Sequence, residues 1–312
     1  MKRALAIAVS LGLVAVIWWR ADPAAVLAAL GSVEGGWFAF ALLMVVPLTA
    51  ATALRLCALS RGALGLGEGT RLVLSASSLN LVLPSKMGDL AKAIVLRSRY
   101  GLGGSRAVAL VVLEKLLALM ALLLVGAMLL WLSAPEVPGL PLWTAGAMAT
   151  GLLLFAFTLP ASPLPRLARA LAHRLPAGVG RRLFALLDGW EDLVGWFWAN
   201  RGLAAAVVAG SLLLWAAHLF QMWLFARAIA TDVPMLAAMA LAFLAILAGL
   251  LPFTFAGIGT RDAALVLLFA PWLTPAEGAL LGLFATLRYV LPAAAGLPFI
   301  GDYWAGRRAR EG

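Results

Sequence analysis

The chain has 312 residues, of which 64% are hydrophobic and only 12% charged. So few polar residues cannot cover the surface of a soluble domain of this size, so the composition specifies a membrane protein and excludes an appended soluble catalytic domain. Lys and Arg outnumber Asp and Glu by 24 to 14; in a membrane protein that excess is first a topology signal, and nucleic acid is not expected as a partner.

A bilayer core of roughly 30 Å requires about 20 apolar residues per helical span. Runs of that kind occupy 4–19, 37–59, 107–131, 141–159, 203–225, 235–251 and 279–300. The first follows Lys2 and Arg3 but ends in Trp18, Trp19 and Arg20, where a cleavable signal needs small residues, so it is read as a retained span. Segment 61–106 holds seven bases and 161–201 six, whereas connections 20–36, 132–140 and 230–234 hold Arg20 alone beside Asp22, Glu34, Glu136 and Asp232. Positive-inside bias puts the basic segments and the N-terminus in the cytoplasm. The C-terminal Arg307, Arg308 and Arg310 argue for the same side. An even number of crossings is then needed, and a partial crossing over 252–273 supplies the eighth. The expected fold is all-α: one polytopic bundle over 1–312 with about seven to eight spans. Segment 161–201 reads as a cytoplasmic amphipathic connector, with Leu164, Leu167, Leu171 and Leu175 at helical spacing among Arg166, Arg169 and Arg174.

Two apolar runs are broken by proline, glycine and charge together. One contains Asn80, Pro84, Lys86, Gly88, Asp89 and Lys92; the other contains Pro252, Thr254, Gly257, Gly259, Arg261 and Asp262. In hydrocarbon every backbone polar group must be paired, so such a break requires protein or a wet cavity around it, which predicts two re-entrant or discontinuous helices. Each break is followed by a charge inside the next span: Glu114 lies 25 residues after Asp89, and Arg288 lies 26 after Asp262. That spacing reads as a weak internal duplication. The charge count starts both breaks from the cytoplasmic side, and the sequence leaves open whether the halves are parallel or inverted.

Ionisable residues within spans need partners or a function. Glu114 and Lys115 point about 100° apart on a helix and cannot neutralise one another. The expected pairs are Glu114 with Arg288 and Asp89 with Lys92. Gly278 and Gly282 read as a helix-packing face. Trp215, His218 and Gln221 share a face, with His218 expected as a satisfied interhelical hydrogen bonder. Cys57 is the sole cysteine, and His173 and His218 lack metal-ligand spacing, so neither metal nor cofactor is expected. No nucleophile elbow or phosphate-cradling Gly-Lys loop is present.

The run from Asn80 through Leu83-Pro84-Ser-Lys-Met-Gly88-Asp89 to Lys92, Glu114-Lys115, the stretch Pro252 to Asp262 and Arg288 together resemble the flippase-like family, that of the transmembrane region of lysylphosphatidylglycerol synthase. The likeness covers roughly 4–299. It departs at Asp89 and Asp262, where many members carry glutamate, and at Lys115, where arginine is common. The resemblance implies a bacterial inner-membrane module that moves lipids between leaflets through a cavity formed by re-entrant helices. The aminoacyl-transferase domain of the full synthase is not in these residues, so the chain is not expected to be an enzyme. The resulting expectation is a flippase or transporter for an anionic phospholipid or polyprenyl-phosphate-linked lipid. The alternative is a non-catalytic accessory protein recruiting a lipid- or glycan-modifying enzyme. Membrane lipids are the expected partners; a homo-oligomer and such an enzyme are admitted. The site assigned on these grounds comprises Asn80, Pro84, Lys86, Gly88, Asp89, Lys92, Glu114, Lys115, Pro252, Thr254, Gly257, Gly259, Arg261, Asp262 and Arg288.

Overall fold

The structure, a computed structural model, describes residues 2–82, 87–133, 139–250 and 257–301. All regular elements among them are helical. In chain order they are α1 (Lys2–Ala21), α2 (Pro23–Gly31), α3 (Gly35–Leu43), α4 (Val45–Leu59), α5 (Leu66–Val82), α6 (Met87–Ser98), α7 (Gly104–Ser133), α8 (Leu140–Phe157), α9 (Leu164–Ala172), α10 (Ala177–Ala199), α11 (Arg201–Ile229), α12 (Met235–Leu250), α13 (Thr260–Leu268) and α14 (Pro275–Gly296). The all-α bundle expected from composition is what forms.

Five segments are long and apolar enough to cross a membrane: Gly35–Leu59, Gly104–Ser133, Leu140–Phe157, Arg201–Ile229 and Pro275–Phe299. The first is α3 and α4 run together, with a turn at Met44. Pro47 explains that break, because it lacks the N–H that would bond the carbonyl of Leu43 four residues earlier. The start of α14 is marked by Thr274 and Glu277, which cap each other's backbone N–H, with Pro275 in the first helical position.

The two ends of the bundle are told apart by their ion pairs. At one, the basic end, Asp192 of α10 receives Arg61 from the end of α4 and Arg106 from the start of α7. At the other, Arg227 near the end of α11 pairs with Glu34 ahead of α3 at 3.0 Å. Ala276 and Ala279 of α14 pack there with Ala21 and Val26.

Segment 61–106, in which the sequence shows no crossing, contributes α5 and α6 to the interior of the bundle. Neither is a full span: 17 and 12 residues rise about 25 and 18 Å, short of the roughly 30 Å hydrocarbon layer. They form a hairpin. A Cβ on Gly88 would lie 2.5 Å from the Ala76 carbonyl and 2.8 Å from the Asn80 nitrogen, so the start of α6 lies against the last turns of α5. Segment 235–251, expected as a full span, is likewise half of a hairpin. The 16 residues of α12 rise about 24 Å, and α13 turns back beside them. Gly257, at φ +79, abuts the Gly249 backbone, and a Cβ on Gly249 would meet that of Arg261 at 3.0 Å.

The hairpins enter from opposite ends. α5 follows α4 at the basic end, whereas α12 follows α11, which runs from the basic end to the Arg227–Glu34 end. α7 then leaves the basic end, and α14 returns toward it, reaching α5 where Ser78 donates to the Ala293 carbonyl at 2.5 Å and Ser75 to that of Phe299 at 3.3 Å. The triplets α5–α6–α7 and α12–α13–α14 are therefore an inverted pair. Exchange of one triplet for the other turns the α5–α14 interface into that of α12 with α7, and both interfaces are present. This corrects the charge count that started both breaks from one side. That count took 235–251 for a crossing and passed over 66–82.

α9 and α10 form a hairpin at the basic end, tied by Arg169 to Asp188 and Glu191 at 2.6 and 2.8 Å. The leucine row of α9 does not pack inward. Leu167 and Leu171, and Leu175 just beyond the helix, are exposed, while Ala172 is buried.

Candidate functional site

Each hairpin carries its charged residues to mid-depth, and there they meet. A cavity of about 250 Å³ is lined by α4, α5, α6, α7, α11, α13 and α14. Its floor is a chain of alternating charges. Glu114 of α7 accepts from Lys92 of α6 at 3.1 Å and from Arg55 of α4 at 3.5 Å. Asp89, one turn before Lys92, holds that same ammonium at 3.1 Å and Lys115 at 2.5 Å. Asn80 of α5 donates to the second Asp89 oxygen at 3.2 Å. Glu114 is 1% exposed and Lys92 2%, so water cannot stabilise either charge and each depends on its partners.

The second hairpin supplies a closed unit. Arg261 makes a forked contact with Oδ1 of Asp262, Nε at 3.0 Å and Nη2 at 2.7 Å, and donates to Thr286 Oγ1 at 2.7 Å. Oδ2 of Asp262 accepts the Gly259 N–H at 3.0 Å, capping α13. Gly259 sits at φ +100, a conformation open to glycine at no steric cost. Gly282 and Gly278 of α14 let α13 approach closely, against Asp262 and Val266, in line with the packing role read from their spacing.

Arg288 breaks the pattern. Its expected pair with Glu114 does not form, because Glu114 is taken by Lys92 and Arg55 from its own half and the neighbouring span. Arg288 instead donates to the His218 carbonyl at 3.1 Å and the Tyr289 hydroxyl at 2.6 Å. Among the described residues no carboxylate reaches it, although it is only 5% exposed. Tyr289 lies between two guanidiniums, those of Arg288 and Arg261, at 4.8 and 5.6 Å from its ring centre. Seven buried side-chain polar atoms lack a hydrogen bond among the described residues, and five belong to Arg55, Asn80, His218, Gln221 and Arg288. The first three and Arg288 line the cavity; Gln221 lines its extension between α4 and α11. Unmet bonding capacity is thus concentrated in one place. His218 is not the satisfied hydrogen bonder expected of it, since its Nδ1 is one of these atoms.

Of the residues read from sequence, Asn80, Asp89, Lys92, Glu114, Lys115, Arg261 and Arg288 are brought together on the cavity wall. Gly88, Gly257, Gly259 and Asp262 hold the hairpins behind it. Pro84, Lys86, Pro252 and Thr254 lie outside the described residues. Sequence reasoning missed Arg55, Ser77, Trp215, His218, Thr286 and Tyr289 as lining. Arg55 has a signal in the sequence: it is a base four residues inside the end of the apolar run 37–59.

Toward the end of the bundle opposite α10 the cavity is closed. Gln221 donates to the Ala41 carbonyl at 2.8 Å. Beyond it Phe38, Phe225 and Phe284 stack with ring centres 4.5 to 6.2 Å apart.

Two inverted triplets around a buried, charged cavity define an integral membrane protein whose polar centre is shielded from lipid by its own helices. The chain belongs to the lysylphosphatidylglycerol synthase transmembrane region family, which matches residues 3–296. No curated protein matches it. Membership places it among membrane proteins of lipid-related processes.

Proposed function

We propose that the protein is a flippase or transporter that moves an anionic phospholipid or a polyprenyl-phosphate-linked lipid between the leaflets of a bacterial inner membrane, without catalysing a reaction. The observation that carries this reading is Arg288: a buried guanidinium that no carboxylate among the described residues reaches, beside orphaned polar atoms, in a cavity where two inverted hairpins meet. An unpaired buried charge costs several kcal/mol, and an anionic headgroup supplies the missing partner. A headgroup crossing bare hydrocarbon loses its hydration with nothing in exchange; here Arg55, Arg261 and Arg288 replace water while the acyl tails stay in lipid. The inverted triplets support alternating access, in which one half rocks against the other around a fixed site. In that cycle the Phe38, Phe225 and Phe284 cluster is the closed gate. The bias of bases toward the α10 end supports a cytoplasmic N-terminus.

The test is transbilayer movement of headgroup-labelled anionic lipid in vesicles containing purified protein. Protein should raise the rate, and Arg288→Gln should return it to that of protein-free vesicles. Equal rates with and without protein, for phospholipid and polyprenyl-phosphate cargo alike, overturn the proposal.

A further inference from the structure

Resting on that transport reading, we infer that the cavity is built for a head carrying a terminal phosphate monoester and no amine. The first ground is the state of the carboxylates. Both oxygens of Glu114 are held by Lys92 and Arg55, both of Asp89 by Lys92, Lys115 and Asn80, and both of Asp262 by Arg261 and the Gly259 N–H. Among the described residues every carboxylate oxygen around the cavity already holds a donor, so a choline, ethanolamine or aminoacyl head would have to compete with those donors for a counter-charge.

The second ground is the state of the donors. Among the described residues Nε of Arg55 and Nε of Arg288 are buried without an acceptor. Arg55 is anchored on Ser211 at 3.4 Å and Arg288 on the carbonyl of His218 at 3.1 Å, two turns apart on α11, which is about 10 Å. Both guanidiniums line the same cavity and can donate to one phosphate, and a monoester offers three acceptor oxygens where a diester offers two. The third ground is charge. Five bases on the wall face Asp89, Glu114 and the Asp262 behind Arg261, an excess of two positive charges. A monoester at neutral pH carries nearly two negative charges, and a diester carries one.

The experiment uses the full chain in phosphatidylcholine nanodiscs doped with phosphatidic acid, phosphatidylglycerol or phosphatidylethanolamine of identical acyl chains. Retained lipid is counted by native mass spectrometry. At pH 7.5 phosphatidic acid should be retained about tenfold over phosphatidylglycerol, the equivalent of one added charge-assisted contact, and phosphatidylethanolamine should not be enriched. At pH 5, below the second phosphate pKa of about 6, the preference over phosphatidylglycerol should shrink. Arg288→Gln should abolish it and Arg288→Lys should keep part of it, each variant being checked for a monodisperse elution profile. Equal retention of phosphatidic acid and phosphatidylglycerol at pH 7.5, or enrichment of phosphatidylethanolamine, overturns the inference and leaves anionic-lipid transport standing. Retention of no anionic lipid, with unchanged transbilayer rates, overturns both. Glycerol 3-phosphate and inorganic phosphate are added as competitors. Failure to displace phosphatidic acid at millimolar concentration supports a lipid source, and displacement at equal affinity overturns it.

Discussion

Glu114→Gln tests the idea that the bundle is held at mid-depth by charge rather than by shape alone. The substitution preserves volume and removes the acceptor shared by Lys92 at 3.1 Å and Arg55 at 3.5 Å. With an effective dielectric constant near 20, each contact is worth about 5 kcal/mol of gross attraction, most of which offsets the desolvation of the charges. What the variant exposes is the remainder plus two bases left short of a partner, for which about 3–5 kcal/mol is the usual cost of breaking a buried pair. In a chain of this size that is a fall in melting temperature on the order of 5–15 °C, readable by intrinsic fluorescence in detergent, where the twelve tryptophans give ample signal. Removing the pair altogether, with Glu114→Leu and Lys92→Met together, should recover at least half of the loss, because hydrophobic replacements of a buried pair are close to neutral. Arg55 then remains on Ser211 alone, which limits the recovery. A Glu114→Gln variant that melts with the parent, or a double variant that melts below the single one, would refute the reasoning.

Three other outcomes follow from the packing. Gly126→Val should prevent α7 and α12 from docking, because a Cβ there would collide with the Phe243 ring; loss of monodisperse protein on gel filtration is expected, and recovery in Gly126→Val with Phe243→Ala would locate the fault. Phe284→Ala removes the centre of the three-ring cluster and should cost about 3–5 kcal/mol of stability. In a Cys57→Ser, Gln221→Cys background it should also admit a membrane-impermeant maleimide from the side opposite α10, which the parent excludes; equal labelling of both would deny the cluster its role as a seal. Asp192→Asn removes the carboxylate charge that Arg61 and Arg106 face, while Arg61 keeps its 2.6 Å bond to the main-chain carbonyl of residue 192, and the Asp192 side chain is 47% exposed. Screening by water keeps the effect within about 1 kcal/mol, and a melting shift comparable to that of Glu114→Gln would contradict the distinction between surface and buried pairs.

How much of this was legible in the residues differs between fold and site. Asp89 and Lys92 are three apart on a helix and must meet, so that pair could be read directly. The pairing of Glu114 could not. Residues 114 and 288 stand at matching positions of the repeat, which suggests a partnership, yet the inverted arrangement places α6 and α4 beside Glu114 and gives Arg288 to α11. The missed crossing elements have a similar cause. α5 carries Ser75, Ser77 and Ser78, which lower its apparent hydrophobicity, but each hydroxyl bonds the carbonyl four residues before it, so the helix is buried without penalty. α12 is apolar throughout and looks like a span, and only its length of 16 residues betrays that it stops short.

Composition by itself determined that this chain lives in lipid as an all-helical bundle, and the proline, glycine and charge clusters determined where its helices break, because hydrocarbon tolerates neither exposed backbone nor solitary charges. Tertiary structure alone decided that the two breaks enter from opposite ends, which buried bases find acids, and that Arg288 meets no carboxylate among the described residues. Those outcomes depend on distances between helices far apart in the chain, and a buried charge takes whichever partner the packing brings within reach.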